Sequence, residues 1–254
     1  MSPAAALAIF ASGLAAGTVN TIVGSGSLIT FPTLLALGYS PVVANVSNTV
    51  GLVPGSISGA VGYRRELVGQ RSRLAYLGGA SVAGGITGAV LLLVLPGSVF
   101  RGIVPVLILL ACALIVVQPR LAARVAQRRS APDAPTPAHG GPVLLATVYL
   151  TGVYGGYFGA AQGVILIALL GIFVNDELQR LNAAKNVLAA LVNGVAALLF
   201  IVAAHVAWGP AGILAAGATI GGQVGAKLGR RLPAPVLRVA IVVVGTAVAI
   251  RLLV

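Results

Sequence analysis

Charged residues are so sparse in this chain, and so confined to the ends of apolar runs, that the fold is restricted to a membrane. Eight stretches read as spans of about the length a hydrocarbon core demands: Ala4–Val23, Val42–Gly62, Leu74–Leu95, Ile103–Val117, Val143–Ala168, Leu188–Ala204, Ala211–Lys227 and Val236–Val254. Only 8% of residues are charged, 58% are hydrophobic and the mean hydropathy is +1.05, whereas a soluble domain carries about 25% charge. The runs are apolar on both parities and rich in Ala, Leu, Val and Gly, without the alternation of a transmembrane β-barrel. Helices remain as the structure that satisfies its own backbone in lipid. The expected fold is an all-α polytopic membrane protein of about eight helices.

A net charge of +12 raises the possibility of nucleic acid, but the arginines neither share an amphipathic face nor alternate with aromatics, so no nucleic-acid partner is expected. They punctuate spans. Arg64, Arg65, Arg71 and Arg73 form one basic loop and Arg120, Arg124, Arg128 and Arg129 another, and the positive-inside rule places both in the cytoplasm. Arg230 and Arg231 fall on the opposite side in that scheme. The expected location is the cytoplasmic membrane, with both termini and the stretch between the halves inside the cell. Met1-Ser2-Pro3 lacks a basic region, so the first run reads as a span rather than a removed signal peptide. Cys112 is the only cysteine, which excludes an internal disulfide and a cysteine-built metal site; no cofactor or metal is expected.

The chain repeats itself. Asn45, Asn48 and Thr49 stand at i, i+3 and i+4 of one apolar run, and Asn182, Lys185 and Asn186 stand the same way in a run of the second half. The spacing between these triads also relates Gly84, Gly85 and Gly88 to Gly221, Gly222 and Gly225, Pro96 to Pro233, and Arg101 to Arg238. Gly13 and Gly17 match Gly152 and Gly156 at a slightly longer spacing, so a small gap precedes the triads. Residues 1–117 are thus a first four-span repeat and 142–254 a second, with 118–141 a basic, Pro-rich cytoplasmic linker that includes His139, a solvated loop histidine. Internal repeats of this kind build many transporters, with the substrate near the midplane where the repeats meet. Four spans per half make the repeats parallel; a re-entrant segment in each half inverts them.

Such a segment is expected, because Ala4–Leu37 would reach about 50 Å as one helix against a core of about 30 Å. The breaker is Gly24-Ser25-Gly26, flanked by Asn20, Thr21, Ser27 and Thr30, and its counterpart is Gly159–Gly163, which contains Gln162. Broken or re-entrant segments are therefore placed near 24–37 and 159–174. Gly13, Gly17, Gly84, Gly88, Gly152 and Gly156 read instead as close helix-packing contacts, and the same reading competes at the breakers themselves.

Gly17–Val50, with Gly152–Gly171 and Leu181–Leu198 of the second half, resembles the sulfite exporter TauE/SafE family of membrane permeases. The glycine-rich stretch leading to Pro32, the Gly38/Pro41 turn and the Asn182–Asn186 stretch carry the likeness, which covers essentially the whole chain. Ser25, Ser27 and Ala161 stand where the family pattern is richer in glycine. The resemblance implies an eight-span permease for sulfite, sulfonates or other small sulfur-containing anions, usually outward.

The residues point to an anion on their own account. Lys185 is the one basic side chain well inside an expected span, where an ammonium costs roughly 2.5–3.5 kcal/mol, and no carboxylate lies at its depth. A transported anion supplies the countercharge; the competing reading has Lys185 snorkelling toward the interface or Asp176. The substrate site is expected at Lys185, Asn182, Asn186, Asn45, Asn48, Thr49, Asn20, Ser25, Gly24, Gly26, Gln162 and Gly163. Asn193, Ser47, Tyr154 and Tyr157 are weaker candidates, and His205 and Trp208 read as interfacial anchors. Motifs of membrane-embedded enzymes, such as HExxH or GxSxG, are missing from the sequence, so no catalysis is expected. The expected partners are a small anionic solute and the bilayer; a passive anion channel and a permease for another solute stay open, as does a homo-oligomer.

Overall fold

The computed structural model describes residues 1–129, 140–228 and Thr246. The described residues fold into helices: α1 (Pro3–Ile22), α2 (Ser27–Ala36), α3 (Pro41–Gly62), α4 (Arg71–Val94), α5 (Gly97–Arg129), α6 (Gly141–Tyr157), α7 (Gln162–Phe173), α8 (Leu178–Ala203) and α9 (Trp208–Leu228). By length and apolarity α1, α4, α8 and the Gly97–Val117 part of α5 suffice to cross a membrane. The chain is a polytopic helical membrane protein. The polarity of α3 is directed inward, for Asn45, Ser47, Asn48 and Thr49 are all buried. The expected run Val143–Ala168 is two helices, α6 and α7, and the expected span Val236–Val254 lies outside the described residues.

Prolines and glycines set most of the boundaries. Pro3, Pro41 and Pro142 sit in first turns, where their missing N–H costs nothing. Between residues 118 and 141, expected as linker, α5 continues to Arg129, because Leu121, Ala122, Ala123 and Arg124 favour the helix already under way. Residues 130–139, with His139 and Asp133, lie outside the described residues, as do Arg230, Arg231, Pro233 and Arg238.

Helix directions follow from which residues touch. Gly13 and Gly17 of α1 meet Leu214 and Ala218 of α9, and Gly51, Gly55 and Gly62 of α3 meet Leu214, Ala218 and Ala226, so α1, α3 and α9 run parallel. Likewise Gly84 and Gly88 of α4 meet Tyr149 and Val153 of α6, and Gly78 and Gly85 meet Leu191 and Val195 of α8. The α4, α6 and α8 helices form a second parallel set. Along α3 and α8 the order reverses: Ser47 lies by Ala207, Ser56 by Asn193, and Gln70, just beyond α3, by Arg180. The two sets are antiparallel. Since α1, α3 and α4 correspond to α6, α8 and α9, the repeats are inverted, and the fourth helix of each packs in the other's set.

What inverts them is the pair of short helices. Between parallel α1 and α3 the chain must come back, and α2 does so, with Gly26 against Ala16 of α1 and Thr30 bonded to Asn48 of α3. At 10 and 12 residues, α2 and α7 are about 15 and 18 Å long, half the core thickness. Phe100 at the start of α5 stacks edge-on against Tyr157 and Phe158 at the end of α6, so α5 runs opposite to α6. The α3–α4 connection and the end of α5 therefore share one end of the molecule. Pro3 lies at the other end, level with Pro41. The expectation that the N-terminus and the 118–141 stretch occupy one side is corrected: the half-length α2 adds a return that a count of full spans omits.

Candidate functional site

Both breaks close in the same way. Val23 and Gly24 donate their N–H groups to the Val19 carbonyl (2.7 and 3.0 Å), and Phe158 and Gly159 donate theirs to the Tyr154 carbonyl (2.9 and 3.1 Å). The chain leaves each helix through a glycine at φ +91° (Gly24) or +77° (Gly159), a conformation that side chains disfavour. The breaks touch each other: Gly163 N–H donates to the Gly24 carbonyl at 3.1 Å, and a Cβ on Gly24 would lie 2.4 Å from Gly163 Cα.

Ending α1 in the protein interior frees carbonyls at its negative pole. The Lys185 face of α8 meets them. Lys185 is 1% exposed, and its Nζ donates to the Asn20 and Thr21 carbonyls, each at 3.2 Å. Asn182 and Asn186 donate to the same Thr21 carbonyl at 3.2 and 3.3 Å. The Asn20 Oδ1 turns the other way and accepts from Gly26 N–H at 2.9 Å, capping α2. Snorkelling is thereby ruled out in this conformation, and Lys185 has a helix end as its countercharge where an anion alone was expected. An ammonium has three N–H donors, so one remains beyond the two carbonyls.

Lys185 lines a small cavity with Asn20, Gly24, Gln162, Gly163 and Asn186, all expected site residues, and with Thr21, Ser27, Ser56, Gly159, Ala189 and Asn193. Its volume is about 20 Å³, room for one water, which needs roughly 10–15 Å³. Asn20, Ser27, Gly159, Ala189 and Asn193 along it are partly buried, so the cavity is narrow without being sealed. Ser56 and Asn193 are 137 residues apart and bond to each other at 3.4 Å, which puts the pseudo-two-fold axis between them at the cavity. Their separation equals that of the two triads, and this was the available signal for Ser56.

The first triad takes another place. Asn45 donates its Nδ2 to the Tyr157 carbonyl at 3.0 Å, Asn48 accepts from Thr30, and Thr49 bonds to the Asn45 carbonyl of its own helix. Asn45, Asn48 and Thr49 are buried and do not line the cavity, and Asn182, Ser25 and Gly26 also stand outside its lining. The second triad thus holds the break of the first repeat, whereas of the first triad Asn45 alone bonds to the second break, and the cavity belongs to the second triad. Tyr154 donates to the Ala160 carbonyl, fixing the second break, while Trp208 is exposed at the start of α9.

At the basic end, Asp176 in the α7–α8 turn joins the repeats. Its Oδ2 accepts from Arg73 at 2.8 Å and its Oδ1 from Arg180 Nε at 2.7 Å, and Gln70 Nε2 donates to the Arg180 carbonyl at 3.0 Å. Burial pushes the Asp176 carboxyl upward, but the hydrogen bonds from Arg73, Glu177 N–H and Arg180 outweigh it and hold it below the ordinary value of about 4. A depressed folded-state pKa contributes stability that is present above about pH 4 and lost as pH falls through the folded value. Thermal melts of the purified protein from pH 6 downward should show that loss. Asp176→Asn is expected to lower the melting temperature at pH 6 and to flatten the acid limb; an unchanged limb would remove the linkage.

Two inverted bundles, two glycine-broken half-helices and a polar cavity on their pseudo-axis define the class of inverted-repeat membrane transporters. The family model described as sulfite exporter TauE/SafE matches residues 9–252, and the chain belongs to that family. It is similar to the probable membrane transporter protein YfcA of Escherichia coli K12, with 28% identity over 253 residues covering 100% of this chain and 91% of that protein. It is also similar to the probable membrane transporter protein ORF9 of Sinorhizobium sp (28% identity, 96% and 91% covered) and to one of Haemophilus influenzae (24%, 87% and 83%). No solved structure matches.

Proposed function

We propose that this transporter exports a small anion, with sulfite, a sulfonate or a related sulfur oxyanion as the preferred cargo, across the cytoplasmic membrane by alternating access at the repeat interface. The observation that carries the reading is the buried ammonium of Lys185 at the cavity on the pseudo-axis. A sulfur oxyanion, with at least four heavy atoms, exceeds a cavity of about 20 Å³, so loading requires the two bundles to part. On arrival the anion competes with the Asn20 and Thr21 carbonyls for Lys185. Export needs no coupling ion, since an anion leaving a cell that is negative inside gains about 2.3 kcal/mol per charge per 100 mV. A cavity too small for the anion, which must therefore change shape to pass it, favours a carrier over an open passive channel.

The test is efflux from proteoliposomes loaded with sulfite, a sulfonate or chloride under an imposed potential. Saturable, potential-sensitive efflux of a sulfur oxyanion over chloride, with counterflow, is expected. Non-saturating flux without counterflow identifies a channel, and no flux of any of the three anions sinks the proposed cargo.

A further inference from the structure

The face of α8 that carries Lys185, Asn186, Ala189 and Asn193 turns toward the cavity, and the adjoining face carries Val187, Ala190 and Leu191. These three lie across from Ile57, Ala60 and Val61 of α3, and between the two helices opens a cleft of about 370 Å³, within the ~300–1,000 Å³ range of pockets that hold small ligands. The small side chains of Ala60 and Ala190 leave the recess, and Ile57 and Val61 are half exposed along its edge. Arg64 lines the cleft at the basic end and is exposed, and among the described residues the ion pairs engage Arg73 and Arg180 instead.

We propose that this cleft holds one acyl chain of an anionic phospholipid whose phosphate rests on Arg64. An acyl chain fits an open apolar recess between two helices, and a guanidinium at the mouth selects a phosphate that carries net negative charge. The inner leaflet facing the basic loops is the one whose surface charge such a residue meets. A second copy of the chain fits less well, because a two-fold contact through this face would bring the Arg64–Arg65 loops of both copies together. The inverted repeat supplies an internal control: at the spacing that separates the triads, the counterpart of Arg64 is Ile201, so the corresponding place at the other end has no cation. The lipid chain lies against the helix pair that crosses at the pseudo-axis, and it presses on the outer side of the helix that carries Lys185.

The experiment is native mass spectrometry of the full chain taken from vesicles of equal phosphatidylglycerol and phosphatidylcholine. The wild type should retain one phosphatidylglycerol over phosphatidylcholine. Arg64→Gln should reduce that preference about fivefold, the factor that corresponds to about 1 kcal/mol for one cation at the membrane surface. Arg65→Gln, which alters the same loop outside the cleft, should leave it in place, and Ala190→Phe should expel the lipid by filling the recess. Equal retention of the two lipids by the wild type, an equal response to Arg64→Gln and Arg65→Gln, or a dimer in place of a lipid adduct overturns the proposal. The two arginine variants decide the matter even where Ala190→Phe fails to fold, and none of these readouts depends on which anion is carried.

Discussion

Lys185→Met is expected to lower sulfur-oxyanion efflux at least tenfold, about 1.4 kcal/mol, while protein abundance and helicity in the membrane stay near wild type. Methionine keeps the length and apolar character of the stem, so the packing of α8 against α1 persists and the change is confined to one charge. Two things go with that charge. The anion loses the cation available to it in the cavity, and the Asn20 and Thr21 carbonyls lose a charged donor, although Asn182 and Asn186 still reach Thr21. Charge-assisted hydrogen bonds of this kind are worth roughly 1.5–3 kcal/mol each, so some loss of melting temperature accompanies the loss of transport. Efflux at the wild-type rate from well-folded Lys185→Met protein would end the anion-site reading. Asn48→Ala makes the instructive comparison: Asn48 lies outside the cavity and bonds to Thr30, so its effect should fall on melting temperature before flux.

Gly84→Leu and Gly221→Leu should each abolish recovery of monodisperse protein, whereas Gly79→Leu should be recovered at wild-type yield. A Cβ on Gly84 would lie 2.2 Å from the Tyr149 carbonyl oxygen, and one on Gly221 would lie 2.1 Å from the Leu14 carbonyl oxygen. Both obstacles are helix backbone, which cannot swing aside as a side chain does. Overpacking a core costs about 1–3 kcal/mol where side chains can yield, and here a whole helix has to move. Gly79 has nothing within 4 Å of its Cβ position and lies on the same helix as Gly84, so it controls for helix propensity and hydrophobicity. Fluorescence-detected size exclusion reads all three; a monodisperse peak for Gly84→Leu at normal yield would show that the α4–α6 contact is not fixed. Because Gly84 and Gly221 are repeat partners, similar losses also test the symmetry of the two bundles.

A good deal of this was legible because side-chain types carry it. The constant spacing between matching polar triads, glycines and prolines reported the repeats, and Gly24 and Gly159 reported the breaks, since few residues other than glycine leave a helix at positive φ. Lys185, Asn186, Asn20 and Gln162 were recognisable as polar residues where lipid forbids them unless something meets them. Backbone acceptors were not legible: the carbonyls that hold Lys185 belong to Asn20 and Thr21, and a carbonyl is the same on every residue. Nor was the assignment of partners. Asn45, Asn48 and Thr49 match the second triad in pattern, yet pattern does not say that Asn48 turns to Thr30 and Thr49 to its own helix, and so one cavity was expected to collect both. The orientation of the repeats stayed open for a related reason, because a 10-residue helix such as α2 returns the chain without registering as a span.

The exchange of fourth helices between bundles sets a timetable for synthesis. Thr18 of α1 bonds to Gly221 of α9, a partner 203 residues later in the chain. At roughly 5–20 residues per second, α1 waits on the order of 10–40 s after entering the bilayer before its small-residue face is covered. During that interval the first half is a set of helices with grooves cut for a neighbour not yet made, open to whichever small-faced helix drifts past. A gene cut between the halves should therefore yield fragments that degrade when made singly and survive when made together, each completing the bundle begun by the other.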